Sequence, residues 1–428
     1  MKVAFRHFNK KYLNLIRTIG LEADKRGIKA YLVGGFVRDV LLGVGILDID
    51  LVVEGDAIIF SRYLSQKQRI TSRSHGRFGT ATLCLPDGLR VDLATARKEH
   101  YLEPGALPAV TPSSIYDDLF RRDFTINAMA VSINPSTFAE LVDYFGGYDD
   151  LRKKKIRILH EKSFLDDPTR ILRAIRFEQR FHFSLGAYTD SLLKEALAKK
   201  YFQTVKPPRY FHEFQKILQE EKPIPCLKRL DRLMGFGFLS SSFNLTHRLL
   251  KLFESTEKNI RWYRRRIIYQ KPFKHWLAYF LVVCHGISSH AVSRFQERFH
   301  LKKEEFKSIL LSQKHREHLR GLSRQNISPH EIYELLKLLP HENIIFLNVC
   351  ASNPRPHRRI EHFLFKYQTT TLFLNGHALK EFGLTSGKQI GQILKSILHR
   401  KIDGLIKTKK DEMRFARELI KGKKYGKD

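Results

Sequence analysis

Two aspartates stand two positions apart where an apolar run begins. Asp48 and Asp50 open this run in the sequence LDIDLVV. Alternate residues of a strand point to the same side, which would place the two carboxylates about 6–7 Å apart on one face. Paired carboxylates are typical ligands of a hard divalent cation, and Mg²⁺ is the default where phosphates are also bound. The alternative is a pair of solvated aspartates at the end of a strand.

A glycine turn precedes these aspartates in one compact stretch. A short strand, Tyr31 to Val33, runs into Gly34 and Gly35, and Arg38 follows in the first turns of a predicted helix. Glycine lets backbone N–H groups approach a phosphate closely, and the start of a helix favours an anion. Arg38 would add a two-pronged donor. The stretch therefore predicts a phosphate-binding turn beside a metal site.

A third acidic residue is predicted on a β-hairpin. Residues 79–97 read as two strands around a turn at positions 86–88. Asp92 lies in the second strand among apolar residues, and a carboxylate in such a strand needs a partner. We expect Asp92 to join the first two aspartates. The alternative is a structural hydrogen bond or an ion pair with Arg90.

The next segment combines an irregular stretch with a polar motif. Residues 98–119 contain several prolines and show no clear period, which predicts a long loop. The motif RRDFTINAMA follows, in which Arg122 precedes an apolar segment that contains Asn127. An asparagine in such a setting suggests either a buried hydrogen bond or a contact with a nucleotide.

A second chemical pattern follows in FLDDPTRILRAIRF. Asp166 or Asp167 can cap a helix that carries Pro168 in its first turn. Charged residues then recur at every third position, beside apolar residues that can face a core: Asp167, Arg170, Arg173 and Arg176. The alternative is an ordinary capped helix with ion pairs along its surface.

Composition limits the class of protein. Lys and Arg exceed Asp and Glu by 32 charges among 428 residues, which favours a polyanionic partner over a basic membrane-surface protein. No apolar run approaches the ~20 residues of a membrane span, and Lys and Arg interrupt the apolar residues of the N-terminus. The four cysteines lie far apart without CxxC spacing, which predicts a reducing cytosol and no zinc knuckle.

The ordered motifs together resemble a known family. LVGGFVRD with LDIDLVV, RVDLATAR, RRDFTINAMA and DDPTRILRAIRF are similar to the motifs of class II tRNA nucleotidyltransferases, the CCA-adding enzymes of the polymerase β superfamily, and of bacterial poly(A) polymerases. The similarity covers roughly residues 28–220. It implies an α+β fold, in which a polymerase-β-like head with a mixed sheet (1–142) precedes an all-α neck (143–220), body (221–325) and tail (326–428).

The resemblance also implies roles for individual residues. Asp48 and Asp50 would hold two Mg²⁺ ions, with Asp92 as the third catalytic acid. The nucleotide would be bound by nine residues: Gly34, Gly35, Arg38, Arg122, Asn127, Asp167, Arg170, Arg173 and Arg176. Most family members carry Glu-Asp where this chain has Asp166 and Asp167, a conservative departure.

The activity implied is template-independent addition of C and A to the 3′ end of tRNA, from CTP and ATP, with release of pyrophosphate. The partner implied is the acceptor arm of tRNA, with no membrane and no protein partner. Relatives that add only A or only CC, and poly(A) polymerases, remain alternatives on the same scaffold. An alternative of another class is a non-catalytic RNA-binding protein.

Overall fold

The computed structural model describes residues 1–5, 8–44, 49–76, 79–101, 103, 105–106, 108–266, 273–384 and 386–424. Asp48 lies outside the described residues. The chain forms two compact units, one of Met1–Ile217 with Pro225–Met234 and one of Leu218–Ile224 with Gly235–Asp428. The domain boundaries at 142, 220 and 325 stay predictions.

The first unit combines strands and helices. Its strands are β1 Lys29–Val33, β2 Ile49–Glu54, β3 Thr71–His75, β4 Thr80–Cys84, β5 Arg90–Thr95, β6 Arg97–His100, β7 Ala109–Pro112, β8 Ala130–Ser132, β9 Leu141–Val142, β10 Lys155–Ile156 and β11 Ser184–Leu185. The helices up to residue 234 are α1 Lys10–Asp24, α2 Gly35–Leu42, α3 Ala57–Gln68, α4 Ile115–Phe120, α5 Gly147–Arg152, α6 Ser163–Asp166, α7 Arg170–Phe181, α8 Ala187–Ala198, α9 Pro207–Gln219 and α10 Pro223–Met234.

A seven-stranded mixed sheet organises this unit, in the order β3-β4-β5-β2-β1-β8-β9. β2 and β5 are parallel, and their register sets Asp50 directly opposite Asp92. β1 runs antiparallel to β2, so the glycine turn that follows Val33 lies beside the start of β2. The predicted hairpin is confirmed as β4 and β5. Strand pairing therefore gathers three separate sequence motifs at one place.

Helices cover the two faces of the sheet unequally. α3 packs on β3, β4 and β5, and α1 packs on β1. On the face that carries Asp50, Ile115 and Leu119 of α4 join a buried cluster that contains Val52. Asp50 itself is only partly buried. The start of β2 thus remains open on this face.

The prediction of a long loop over residues 98–119 is wrong for those residues of the range that the structure describes. β6 and β7 pair as an antiparallel hairpin with Arg97 opposite Pro112, and α4 follows from Ile115. Ser114 caps this helix by accepting a hydrogen bond from the backbone N–H of Asp117. Prolines are compatible with the ends of two-stranded hairpins, where no neighbouring strand needs their missing N–H.

The described part of the second unit is helical. Its helices are α11 His247–Arg266, α12 His275–His285, α13 Ser289–Ser293, α14 Phe295–Phe299, α15 Lys303–Gln313, α16 His315–Ser323, α17 Pro329–Leu336, α18 His341–Cys350, α19 Pro354–His362, α20 Gly376–Glu381, α21 Gly387–Ile402 and α22 Lys409–Lys424. The expected α+β head followed by a helical remainder is confirmed. Within the described residues, every helix falls short of the length or the apolar content that crossing a bilayer requires.

Candidate active site

A cleft of about 620 Å³ in the first unit brings the sequence motifs together. It is lined by Asp50 and by all nine residues predicted to bind the nucleotide: Gly34, Gly35, Arg38, Arg122, Asn127, Asp167, Arg170, Arg173 and Arg176. The arginines of α7 therefore share one cleft with the acidic strand and the glycine turn. Among the lining residues, eight cationic side chains face four acidic ones, which suits a polyanionic ligand.

The acidic pair of the described chain is Asp50 and Asp92. They lie opposite each other on neighbouring parallel strands, which run about 4.8 Å apart. Thr82 donates a hydrogen bond of 2.5 Å from its hydroxyl to Oδ1 of Asp92, so the structural partner is Thr82. Among the described residues, Oδ2 of Asp92 accepts no hydrogen bond. Side-by-side carboxylates fit the oxygen ligands that Mg²⁺ prefers.

The glycine turn is built around an arginine. Gly34 has φ +67°, and a Cβ there would lie 2.4 Å from Nη1 of Arg122. Only glycine therefore combines this backbone conformation with so close an approach. Arg122 donates from Nη2 to Oδ2 of Asp118 over 2.8 Å. Its buried Nε finds no hydrogen-bond acceptor in the described part of the chain.

Arg38 lies almost fully buried beside the same turn. It donates from Nε to Oδ1 of Asp39 over 2.8 Å and from Nη1 to Oδ1 of Asn127 over 2.5 Å. Its guanidinium also lies over the rings of Phe177 and Phe181. Burial lowers the pKa of Arg38 from its usual value, although an arginine stays charged at neutral pH. This cation is held in place by a carboxylate, an amide and two aromatic rings.

Buried carboxylates fix Arg121, Arg122 and Arg173 as well. Asp118 is fully buried and accepts from both Arg121 and Arg122. Asp123 accepts from Nδ2 of Asn127 over 2.9 Å and from Nε of Arg173 over 2.8 Å. Burial alone would raise the pKa of Asp123, but Arg173 and these hydrogen bonds outweigh it and hold the pKa at about 2. Asp123 is therefore an anion at neutral pH.

One continuous chain of hydrogen bonds results. Arg38 donates to Asn127, Asn127 donates to Asp123, and Arg173 donates to Asp123 and, over 3.4 Å, to Glu213. The chain connects α2, the segment after α4, α7 and α9. It fixes the distance between the glycine turn and the polar face of α7.

The start of α7 presents an acceptor and a donor to the cleft. Asp167 uses Oδ1 to accept from the backbone N–H and hydroxyl of Thr169 and from Arg209. In the described structure no group donates to its Oδ2. Arg170 is 4% exposed and donates to the hydroxyl of Ser163 over 2.6 Å and to the carbonyl of Arg121 over 2.7 Å. These bonds use two of its five N–H donors.

The predicted cap of this helix is corrected in one detail. Asp167 does accept a backbone N–H at the helix start, but that N–H belongs to Thr169, and α7 begins at Arg170. Pro168 therefore precedes the first turn. The reason is that α6 ends at Asp166, so residues 167–169 form a tight link between two helices.

Several lining residues were not singled out from the sequence: Glu99, Tyr101, Arg121, Asp123, Phe177, Arg180 and Lys216. Glu99 lies in β6 and Tyr101 follows it, in the segment expected to be a loop. Glu99 accepts from Arg121 over 3.0 Å and from the hydroxyl of Tyr101 over 2.9 Å. The available signal was the RRD tripeptide, in which Arg121 and Asp123 flank a residue that was selected.

Sequence similarity to known proteins identifies the family of this chain. The model of the poly A polymerase head domain matches residues 30–157. An A-adding tRNA nucleotidyltransferase of Halalkalibacterium halodurans is 32% identical over 96% of this chain and 93% of its own length. The chain belongs to the tRNA nucleotidyltransferase family. It is accordingly a nucleotidyltransferase enzyme.

Two further matches extend this finding. An A-adding tRNA nucleotidyltransferase of Geobacter sulfurreducens is 33% identical over 97% of this chain, which spans 48% of that relative's length. Among solved structures, the Thermotoga maritima CCA-adding enzyme complexed with tRNA is 35% identical, with a TM-score of 0.66 over 98% of this chain and 99% of that one. The similarity therefore extends well beyond the head domain.

The network around Asp123 predicts a pH-dependent contribution to stability. Its folded pKa of about 2 lies below the ordinary value of about 3.9, so its stabilisation is complete above about pH 4 and is lost as the pH falls towards 2. At about 1.4 kcal/mol per pKa unit, Asp123→Asn should lower the free energy of unfolding at pH 7 by about 2–3 kcal/mol. Urea unfolding of both proteins between pH 7 and 3 measures this.

The difference in the free energy of unfolding between wild type and Asp123→Asn should shrink below about pH 4. Asp149→Asn makes the same chemical change at an exposed position and should leave the unfolding curve almost unchanged. A difference between wild type and Asp123→Asn that stays constant down to pH 3 contradicts the assigned charge state.

Proposed function

We propose that this nucleotidyltransferase adds C and A to the 3′ end of tRNA without a template, from CTP and ATP, and releases pyrophosphate. Solved CCA-adding enzymes that are 36% and 35% identical to this chain are complexes with CTP and with ATP. The observation that carries the proposal is the open acceptor of Asp167 beside the spare donors of Arg170, in the cleft that also holds Asp50 and the glycine turn.

The base would be chosen by hydrogen bonds from the protein. Cytosine and adenine each present an exocyclic amino donor beside a ring-nitrogen acceptor. Oδ2 of Asp167 would accept from the amino group, and one of the three remaining N–H groups of Arg170 would donate to the ring nitrogen. Uracil and guanine reverse both groups. A buried site of this kind can reject the wrong partner by ~10⁴ or more, because mismatched polar groups stay unpaired.

The triphosphate would lie on the glycine turn. The N–H of Gly34 donates to the carbonyl of Met129, so the backbone donors would come from the first residues of α2, which begins at Gly35. Arg38 and Arg122 are held by Asp39 and Asp118, so they need little reorganisation when the anion binds. Preorganised cations of this kind stabilise charge in a site with little water.

Asp50 and Asp92, together with Asp48, would hold Mg²⁺, since their carboxylates suit that ion. Two Mg²⁺ ions bound there would activate the 3′-hydroxyl of the tRNA and stabilise the leaving pyrophosphate. Asn127 would contribute indirectly, because it orients Arg38 and Asp123 at the same time.

The tRNA partner fits the charge of the chain, whose excess of 32 basic residues suits a phosphate backbone. In the second unit, the exposed residues Arg264, Arg265 and Arg266 end α11. Contacts to the acceptor arm would be made by shape and charge, as is usual for duplex RNA. The cytosol, where tRNA is matured, is the proposed location.

Addition of A alone is a second candidate. The two curated relatives described above, from Halalkalibacterium and Geobacter, are both A-adding enzymes, whereas the Thermotoga neighbour is a CCA-adding enzyme. Both candidates use the same cleft and both incorporate AMP. They differ in whether CMP is incorporated.

The two candidates are separated by tRNA transcripts that lack three, two or one of the terminal CCA nucleotides. Each is incubated with labelled CTP or ATP in Mg²⁺, and the products are resolved at single-nucleotide resolution. We expect C on the two shorter transcripts and one A on the transcript ending in CC. Asp50→Asn should abolish all additions, while Asp149→Asn should not affect them.

Incorporation of A without C assigns A-addition alone. Growth beyond one A contradicts CCA addition in favour of poly(A) synthesis. Undiminished activity in Asp50→Asn, or without a divalent ion, would contradict the proposed catalytic centre.

The base-reading pair predicts an altered specificity. Asp167→Asn with Arg170→Gln replaces the obligatory acceptor by an amide donor and the obligatory donor by an amide acceptor. The ratio of UTP to CTP incorporation should rise by about 100-fold or more. Single-turnover rates with all four nucleotides measure it.

Ser163→Ala provides the matched control, because it removes an anchor of Arg170 without changing the groups that read the base. It should lower the rates with CTP and ATP by similar factors. If the double variant also loses activity equally with every nucleotide, Asp167 and Arg170 do not read the base.

A further inference from the structure

Three side chains with metal-ligand chemistry meet in the second unit. His285 is the last residue of α12, His315 is the first of α16, and Cys350 is the last of α18. One ligand atom of each lies within 4.8 Å of the others. The three residues are 30 or more positions apart in sequence, so no local sequence motif indicates the cluster.

Packed helices hold the cluster in position. Residues 276–284 of α12 and 341–349 of α18 are all buried, and His285 and Cys350 follow immediately as partly exposed residues. Phe346 packs against both imidazoles, with ring centroids 5.9 Å from His285 and 5.6 Å from His315. The two imidazole centroids lie 4.9 Å apart. Side chains anchored in this way need only small rotations to share a ligand.

The hydrogen bond of His315 also fits metal binding. Its Nδ1 lies 2.9 Å from the carbonyl oxygen of Ser312. A carbonyl can only accept, so Nδ1 carries the hydrogen and Nε2 keeps its lone pair. Metal-binding histidines commonly use one ring nitrogen in this way and ligate with the other. Cys350 is a free thiol.

We propose that His285, His315 and Cys350 form a binding site for a zinc-type transition-metal ion. Imidazole nitrogen and thiolate are ligands of Zn²⁺ and its neighbours, whereas Mg²⁺ requires oxygen. Tetrahedral bonds of about 2.0–2.3 Å require ligand atoms about 3.5 Å apart. Each ligand atom must therefore shift by about 1 Å or less from its position in the structure. The site belongs to the second unit and goes beyond the proposed function.

The surroundings indicate what completes the coordination. Three protein ligands leave a fourth position, which is the pattern of an open zinc site. The cluster lines a cavity of about 460 Å³ together with Arg248, Arg316 and Arg320. In the described part of the chain these exposed arginines form no ion pair with a carboxylate. They disfavour a bare cation but attract an anion, so the fourth ligand would be hydroxide or another small anion.

Cobalt spectroscopy tests the site, because Co²⁺ replaces Zn²⁺ and gives a charge-transfer band only with a thiolate ligand. The full chain titrated with Co²⁺ should develop this near-ultraviolet band with one equivalent, and one equivalent of Zn²⁺ should abolish it. Cys350→Ser should lose the band, and His285→Ala and His315→Ala should weaken Co²⁺ binding at least 10-fold. Cys84→Ser and His290→Ala, which lie elsewhere, should behave like wild type.

Zinc K-edge X-ray absorption of the wild-type protein tests the same site without any variant. It should show one sulfur at about 2.3 Å and two imidazole nitrogens at about 2.0 Å. A shell of light atoms without sulfur overturns the proposal. So does a cobalt band that survives Cys350→Ser or disappears in Cys84→Ser.

Discussion

The ion pair between the buried Asp123 and the partly buried Arg173 determines the geometry of the cleft. Asp123 also accepts from Asn127, which in turn accepts from Arg38. A carboxylate with so little exposure is tolerated only because arginine and amide donors surround it. The pair joins the segment after α4 to α7. It therefore sets how far the glycine turn lies from the residues that would read the base.

The same arrangement, an arginine held by a carboxylate, recurs around the cleft. Asp39 holds Arg38 and Asp118 holds Arg122. Each carboxylate reduces the net charge of its arginine but removes most of the conformational freedom that ligand binding would otherwise restrict. The cleft stays positively charged because cations outnumber acids among its lining residues. A triphosphate bound there, as proposed, would meet cations that are already in position, which is the condition for efficient electrostatic stabilisation.

Local patterns in the sequence were enough to predict β1, β2, the hairpin of β4 and β5 with its turn at 86–88, and the polar face of α7, but not β3, β8 or β9 of the same sheet. These features depend on alternation, turn residues and three-residue spacing, which act over short distances. Pairing between distant strands does not depend on such local patterns. The parallel register that sets Asp50 opposite Asp92 could be expected only in outline, because it depends on the whole sheet.

Prediction from the sequence failed where contacts between residues far apart in the chain determine the structure. The prolines of residues 98–119 suggested a loop, but strand pairing and the Ser114 cap produce a hairpin and a helix. Lys216 reaches the cleft from α9 without any motif of its own. The cluster of His285, His315 and Cys350 exists only because three helix ends converge.

We infer that one cleft holds both the catalytic acids and a protein-made partner for the base. A crystal structure with Mg²⁺ and a non-hydrolysable CTP analogue would show whether it does. We expect the triphosphate on Gly34 and Gly35, and the cytosine amino group within hydrogen-bond distance of Oδ2 of Asp167, with Arg170 still bonded to Ser163. A base bound away from α7, or a triphosphate remote from Asp50, would contradict it.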